Sequence, residues 1–133
     1  MEFAIHQPLK TYAGGLGFLA GSHMRSAFEL RQNMIGIGIL WKYGYYNQVR
    51  KQDQCMDVLF QEKVYGFLIK TDIKFTIQVS GYDVFVTAWY LPPEIFKTAP
   101  VFFLSTDISE NDYLAKTICH KLYDSNPEAK IAA

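Results

Sequence analysis

The sequence predicts one domain of the α/β class on three observations. A glycine-rich loop, a segment with one apolar face at helical spacing and a compact isoleucine-rich run follow one another within residues 10–41, which is most of a βαβ unit. Two later runs alternate apolar and polar residues on either side of a turn, which is typical of an antiparallel hairpin. The 133 residues, 50% of them hydrophobic, are enough to bury one core.

The first helical segment begins at a concentration of glycines. Gly14, Gly15, Gly17 and Gly21 fall within eight positions, although glycine in a helix costs about 1 kcal/mol relative to alanine. One explanation is that bare N–H groups at a helix N-terminus let an anion or a sugar hydroxyl approach the backbone. The other is that the glycines only permit a tight turn and close packing of the helix on a sheet. The spacing matches neither the dinucleotide-binding GxGxxG pattern nor the P-loop, so neither NAD nor ATP is indicated.

Strands follow this first helix. The run NMIGIGILW, residues 33–41, is apolar with glycines at alternate positions, which predicts a parallel strand covered on both faces and paired along both edges. Residues 74–91, KFTIQVSGYDVFVTAWYL, predict a hairpin that turns at SGYD. The run APVFFLSTD, residues 99–107, predicts one more strand after the break at Pro92–Pro93.

The last part of the chain predicts helices. Ser109 is placed to cap a helix over SENDYLAKTICHKLYD, and Asn126 with Pro127 predicts the start of another over NPEAKIAA. We therefore divide the single partial domain into residues 1–50 (loop, helix and buried strand), 51–108 (mainly β) and 109–133 (helical). Because the final helix has only about one and a half turns and no strand precedes the glycine loop, we expect a piece of a larger protein.

Composition argues against several classes of function. The 13 basic and 13 acidic residues balance, which disfavours a nucleic-acid-binding protein. No apolar run reaches the roughly 18 residues that a membrane helix needs, and the first ten residues lack the layout of a signal peptide. The 2 cysteines have no CxxC spacing and the 3 histidines are scattered, so we expect free buried thiols rather than one disulfide, no metal site and a cytoplasmic protein.

The order EF…H…YAGGLGFLAGSHMRSA…GIGILWKYGYYNQ resembles the N-terminal domain of the α-glucan (glycogen) phosphorylases, most closely the shorter bacterial type. The resemblance resumes at LSTDISEN and covers nearly all of the chain, least well in residues 51–100. The GGLG motif alone is weak, because glycogen and starch synthases carry a similar one. The blocks YGYYNQ and TDISEN favour the phosphorylases.

The resemblance implies phosphorolysis, in which inorganic phosphate attacks the terminal α-1,4-glucosidic bond of a glucan and releases glucose 1-phosphate. It also implies a partial Rossmann-like N-terminal domain of a GT-B glycosyltransferase fold, in which two such domains face a cleft. By position, Gly14, Gly15, Leu16 and Gly17 form the loop beside the glucosyl unit and phosphate, with the N–H groups of Gly15 and Leu16 as donors. Glu2 matches an acidic residue near the same site, although it could equally be a surface carboxylate.

The chain departs from the family pattern at two positions of the loop and helix. Ser22 replaces an aspartate, and Phe18 stands where the long eukaryotic enzymes carry arginine, so no local charge supports the backbone donors. His6 and His23 match histidines of the bacterial pattern, and we interpret both as structural. The cluster Tyr43–Tyr46 either lines a carbohydrate surface or packs in the core.

In enzymes of this family, pyridoxal phosphate forms a Schiff base with a lysine of the C-terminal domain, and its phosphate transfers the proton. No segment here resembles that region, and lysines such as Lys70 and Lys74 occupy hairpin positions exposed to solvent. The resemblance therefore implies no catalytic residue in this chain and no activity of the chain alone. Unpaired apolar edges lead us to expect self-association. Two alternatives remain: the acceptor-side domain of a sugar-nucleotide-dependent glycogen or starch synthase, and a non-catalytic carbohydrate-binding module.

Overall fold

The chain has a mixed α/β fold, as the sequence predicts. A computed structural model describes residues 2–12, 14–43, 47–59 and 65–121. The elements in chain order are α1 (Gly15–Glu29), β1 (Gly36–Ile39), β2 (Asn47–Arg50), β3 (Met56–Leu59), β4 (Ile69–Val79), β5 (Tyr82–Leu91), α2 (Pro93–Phe96), β6 (Val101–Ser105) and α3 (Tyr113–Thr117). Four strands form one sheet in the order β1-β6-β5-β4, and β2 pairs with β3 separately. The pair β1–β6 is parallel, whereas β5–β6 and β4–β5 are antiparallel.

The predicted hairpin is confirmed as β4 and β5. Ser80 and Gly81 connect the two strands, with φ angles of 51° and 82°. Two successive positive φ angles are characteristic of a type I′ turn, whose twist matches that of the paired strands. The register breaks between Lys70 and Lys74, so residues 71–73 of β4 bulge away from β5.

Strand β1 corrects the expectation of a strand enclosed on both faces and both edges. In the described residues it pairs with β6 alone, and Ile35 and Ile37 are 60% and 53% exposed. The alternating glycines face the core instead: a Cβ on Gly36 would lie 2.9 Å from the Met24 Cε atom and 3.0 Å from the Phe3 Cζ atom. The glycines thus let large side chains approach the strand, and the isoleucines occupy its open face.

The core lies between one face of the sheet, helix α1 and the first residues of the chain. Its members are buried apolar side chains, among them Phe3, Leu9, Met24, Leu91, Val101 and Phe103. The ring of Phe3 meets that of Phe103 edge to face, with centroids 6.5 Å apart. Because Phe3 precedes α1 and Phe103 lies on β6, this contact fixes the first residues of the chain over the middle of the sheet.

Helix α3 begins three residues later than the sequence predicts and ends at Thr117, so it is shorter than the helix predicted over residues 109–124. Asp112, and not Ser109, is its N-cap, and the Asp112 carboxylate accepts a hydrogen bond of 2.8 Å from the Ala115 N–H group. The reason is Asn111, whose side chain accepts from the Phe85 N–H group and donates to the carbonyl oxygens of Phe85 and Thr106. These bonds hold the preceding turn against β5. The helix predicted over residues 126–133 lies outside the described residues.

The two cysteines differ in their exposure to solvent. Both are free thiols; Cys119 is buried, but Cys55 is exposed. The expectation of free thiols is therefore confirmed, whereas the expectation that both are buried is wrong for Cys55. Its position in the turn between β2 and β3 explains the exposure, since that pair lies outside the main sheet.

Candidate functional site

Most of the predicted glycine loop belongs to a helix: Gly15, Leu16 and Gly17 form the first turn of α1 and do not lie in a loop before it. Gly14 precedes the helix with a φ angle of 76°, and Gly15 is its first residue. No side chain of the described residues caps this end of the helix. The N–H groups of the first turn, which have no partner within a helix, therefore carry the positive end of the helix dipole without a capping oxygen.

The four glycines of this region have different structural reasons. Gly14 requires its positive φ angle, which other residues rarely adopt. A Cβ on Gly17 would lie 2.7 Å from the Tyr12 Cβ atom, and one on Gly21 would lie 2.8 Å from the Ala4 carbonyl carbon. At Gly15, by contrast, an added Cβ would have no atom of the described residues within 4 Å. Packing and turn geometry explain three glycines, whereas neither requires a glycine at position 15.

A groove of about 680 Å³ opens beside this helix start. Apolar side chains form most of its wall, together with one carboxylate and one imidazole: Leu16, Leu19, Ala20, Ile39, Trp41, Glu2 and His23. Ile39 ends β1 and Trp41 follows it, so the groove lies at the carboxyl end of a parallel strand. Ligands of open α/β sheets bind in this position.

The structure brings some of the predicted site residues together in this groove. Glu2 and Leu16 line it, and the Leu16 side chain is 78% exposed. Gly14 and Gly15 are exposed on the same first turn, whereas Gly17 is buried beneath it. A large exposed apolar side chain at a helix start next to an open groove indicates a surface that contacts a ligand or another part of the protein.

Five of the seven residues that line the groove were not identified from the sequence as site residues: Leu19, Ala20, His23, Ile39 and Trp41. His23, interpreted above as structural, is exposed and lines the groove, and Trp41 forms part of its wall while being 7% exposed. The signal for His23 was its spacing, since Leu16, Ala20 and His23 follow one another at four and three residues. Residues at that spacing share one face of a helix. Nothing in the sequence pattern indicated Trp41.

The other histidines and aromatic residues have packing roles. His6 lies between the rings of Phe67 and Phe96, with centroid distances of 5.2 and 5.1 Å, as expected for a structural histidine. Tyr43 meets the ring of His120 edge to face at 5.6 Å. The other members of the Tyr43–Tyr46 cluster lie outside the described residues.

Groups whose pKa the fold shifts lie away from the groove. Burial raises the pKa of Tyr65, and the hydrogen bond that the Lys10 backbone N–H group donates to the Tyr65 hydroxyl oxygen partly offsets this effect. Burial also raises the pKa of the Cys119 thiol. Hydrogen bonding from Lys74 lowers the pKa of Glu110 to about 2. The groove itself offers the backbone N–H donors at the start of α1, the Glu2 carboxylate and an apolar wall for binding.

A second, charged cavity of about 480 Å³ lies at the bulge of β4. It is lined by residues 70–74, Thr87 and residues 107–110. Lys74 is exposed, as the sequence predicts, and forms an ion pair with Glu110 across the cavity. Nearby, the Lys42 Nζ atom lies 3.2 Å from the Asp107 carboxylate. In the described residues no group of three metal-ligating side chains gathers, and none of the helices found there could cross a bilayer.

Comparison with curated proteins shows homology over nearly the whole chain. The chain is 52% identical over 132 residues to an uncharacterized protein of Methanocaldococcus jannaschii, which covers 99% of this chain and 25% of that protein. It is 30% identical over 137 residues to maltodextrin phosphorylase of Thermococcus litoralis, and 26% identical over 142 residues to glycogen phosphorylase of Mycobacterium tuberculosis. Each of these two matches covers 98% of this chain and 16% of the relative.

The similarity is distant but extends through the region where the sequence motifs are weakest. No family model matches the chain. The chain spans a quarter or less of the length of these relatives. It is therefore similar, over nearly all of its residues, to one part of enzymes named maltodextrin and glycogen phosphorylases.

Proposed function

We propose that this chain is part of a glucan phosphorylase and forms part of its substrate site. The activity is the attack of inorganic phosphate on the terminal α-1,4-glucosidic bond of a glucan, with release of glucose 1-phosphate. The observation that carries the proposal is Gly15, which stands at an uncapped helix N-terminus, beside an open groove, where neither packing nor backbone angle requires glycine. The distant homology to phosphorylases supports it.

In this proposal the start of α1 binds the anion. The N–H groups of Gly15 and Leu16 donate hydrogen bonds to phosphate oxygens, and the helix dipole adds a positive potential. These donors belong to the backbone of a packed helix, so they need no reorganisation as charge develops on the phosphate. The missing Cβ at position 15 leaves room for the phosphate to approach.

The groove binds the sugar. Its apolar wall, which includes Leu16 and Trp41, packs against the C–H groups of a glucosyl ring. Glu2 and His23 form hydrogen bonds with the hydroxyl groups of that ring. A mostly apolar cleft with a few well-placed polar groups is the usual form of a small-molecule site. Glucan and phosphate are thus the proposed ligands of the complete enzyme.

Pyridoxal phosphate, the cofactor that the resemblance implies, does not fit the lysines described here. A Schiff-base lysine is usually desolvated, because burial lowers its pKa and frees the amine to react. Every lysine in the described part of this chain is at least partly exposed, and Lys42 and Lys74 are held in ion pairs. We therefore assign no cofactor contact and no proton transfer to this chain, and we propose that it contributes binding within a two-domain GT-B enzyme of the cytoplasm.

The proposal is tested on the complete gene product that contains this chain. We expect glucose 1-phosphate to accumulate from maltooligosaccharide only when inorganic phosphate is present, and absorbance of bound pyridoxal phosphate in the purified protein. Transfer of glucose from a sugar nucleotide, without a phosphate requirement, would instead support the synthase-like alternative. Binding of maltooligosaccharide with neither reaction would support a carbohydrate-binding module, and either result would refute the proposal.

A further inference from the structure

We propose that Gly17, Gly21 and Arg25 form a clasp that holds residues 2–5 across helix α1 and thereby positions Glu2 at the groove. The inference rests on the proposed function, in which Glu2 contacts the sugar. Gly21 and Arg25 do not line the groove themselves. They are positioning residues that act through Glu2.

The first part of the clasp is a contact between two backbones. The Ala4 N–H group donates a hydrogen bond of 2.9 Å to the Gly17 carbonyl oxygen, one turn before Gly21. A Cβ at Gly21 would collide with the Ala4 carbonyl group, whose carbon would be 2.8 Å away. Residues four apart share one helix face, so the Gly17 carbonyl oxygen and the bare Cα of Gly21 contact the Ala4 backbone on the same side of α1.

The second part fixes the residues on both sides of Ala4. The Arg25 guanidinium, one further turn along the same face, donates a hydrogen bond to the Ile5 carbonyl oxygen. The Phe3 side chain is 4% exposed and packs against Phe103. Residues 3, 4 and 5 are therefore each tied to α1 or to the sheet. Glu2 is the next residue outward, half-buried in the wall of the groove.

The close approach explains why position 21 carries glycine, whereas the glycine at position 17 leaves room for Tyr12. Alanine is more favourable than glycine inside a helix, but a helix with alanine at position 21 would hold the Ala4 backbone farther away. Glycine at position 21 therefore sets the depth of residues 3–5 against α1. Since Glu2 directly precedes Phe3, this depth also sets the position of its carboxylate relative to Leu16 and His23 on the same helix.

The test is a double-mutant cycle in the complete gene product. Arg25→Ala and Gly21→Ala are each made in the natural background and in a Glu2→Ala background, and kcat and KM for maltooligosaccharide are measured. We expect Arg25→Ala to lower kcat/KM by about tenfold when Glu2 is present and by less than about twofold in the Glu2→Ala background. In that background there is no Glu2 carboxylate left to misplace. Arg50→Ala, which removes an exposed arginine bonded only to Gln54 in the described residues, is the matched control and leaves kcat/KM unchanged.

A second measurement does not depend on activity. Hydrogen exchange of the Ala4 amide reports its hydrogen bond to Gly17 directly. We expect Arg25→Ala to accelerate this exchange at least about tenfold without a comparable loss of global stability, measured as the unfolding temperature. Equal losses of kcat/KM in both backgrounds would make the clasp merely structural and overturn the inference, as would an unchanged Ala4 exchange rate. An inactive natural protein whose Ala4 amide still responds to Arg25→Ala refutes the proposed function and the role of Glu2, while leaving the clasp geometry in place.

Discussion

Replacement of Gly15 by alanine separates ligand binding from folding. Gly15 is the first residue of α1, and an added methyl group would meet no atom of the described residues within 4 Å. Alanine loses less backbone entropy on folding than glycine, so the free energy of unfolding should rise by about 0.4–1 kcal/mol. In the proposed complex the same methyl group points at the phosphate. Loss of such a backbone donor contact costs roughly 100- to 1,000-fold in rate, so we expect kcat/KM for phosphate to fall by that factor.

Two other glycine substitutions serve as controls for Gly15→Ala. Gly66→Ala also places a methyl group in open space without a positive φ angle, but away from the groove, and should leave turnover unchanged. Gly14→Ala forces a side chain onto a φ angle of 76° and should destabilise the fold by about 1–2 kcal/mol. The assay combines urea denaturation with initial rates of glucose 1-phosphate formation. A Gly15→Ala enzyme that keeps at least a third of normal kcat/KM would show that the glycine has no role in ligand binding.

Three further predictions concern other parts of the molecule. Lys74 lowers the pKa of Glu110 from 4.5 to about 2, so the pair stabilises the fold above about pH 4.5 and this contribution is lost as the pH falls toward 2. In urea denaturation, the free energy of unfolding should therefore decrease less between about pH 5 and pH 3 for Lys74→Ala than for the natural chain. Ile37→Lys, on the exposed face of edge strand β1, should reduce the concentration-dependent light scattering expected of this chain; unchanged scattering would assign self-association to another surface. His23→Ala should raise KM for maltooligosaccharide several-fold, about 1 kcal/mol for one lost hydrogen bond, whereas the exposed Ser22→Ala should not.

The features predicted correctly from the sequence depend on local patterns. The β4–β5 hairpin follows from alternation of apolar residues around Ser80–Gly81, because a two-residue turn fixes the register by itself. The existence of helix α1 follows from its apolar spacing, although the helix begins at Gly15, inside the predicted loop. Each of these signals lies within a dozen or so residues and needs no knowledge of distant contacts.

The features that were missed depend on contacts between distant segments. Ile37 is exposed because β1 pairs only with β6 in the described residues, and alternation with glycine does not reveal which face is covered. Asp112 caps α3 because Asn111 is bonded to β5, 26 residues earlier in the chain. His23 lines the groove because residues 2–5 cross the glycine face of α1 and leave the adjacent face open.

The most direct test of the proposed site is the position of glucose 1-phosphate in a crystal structure of the complete gene product. We predict a phosphate oxygen at about 2.7–3.2 Å from the backbone nitrogen of Gly15 or Leu16. We also predict the glucosyl ring in the groove, between Leu16 and Trp41, with a hydroxyl group bonded to Glu2. Glucose 1-phosphate bound elsewhere in the protein, with the N–H groups of the first turn of α1 facing solvent, would contradict the assignment of this groove as the substrate site.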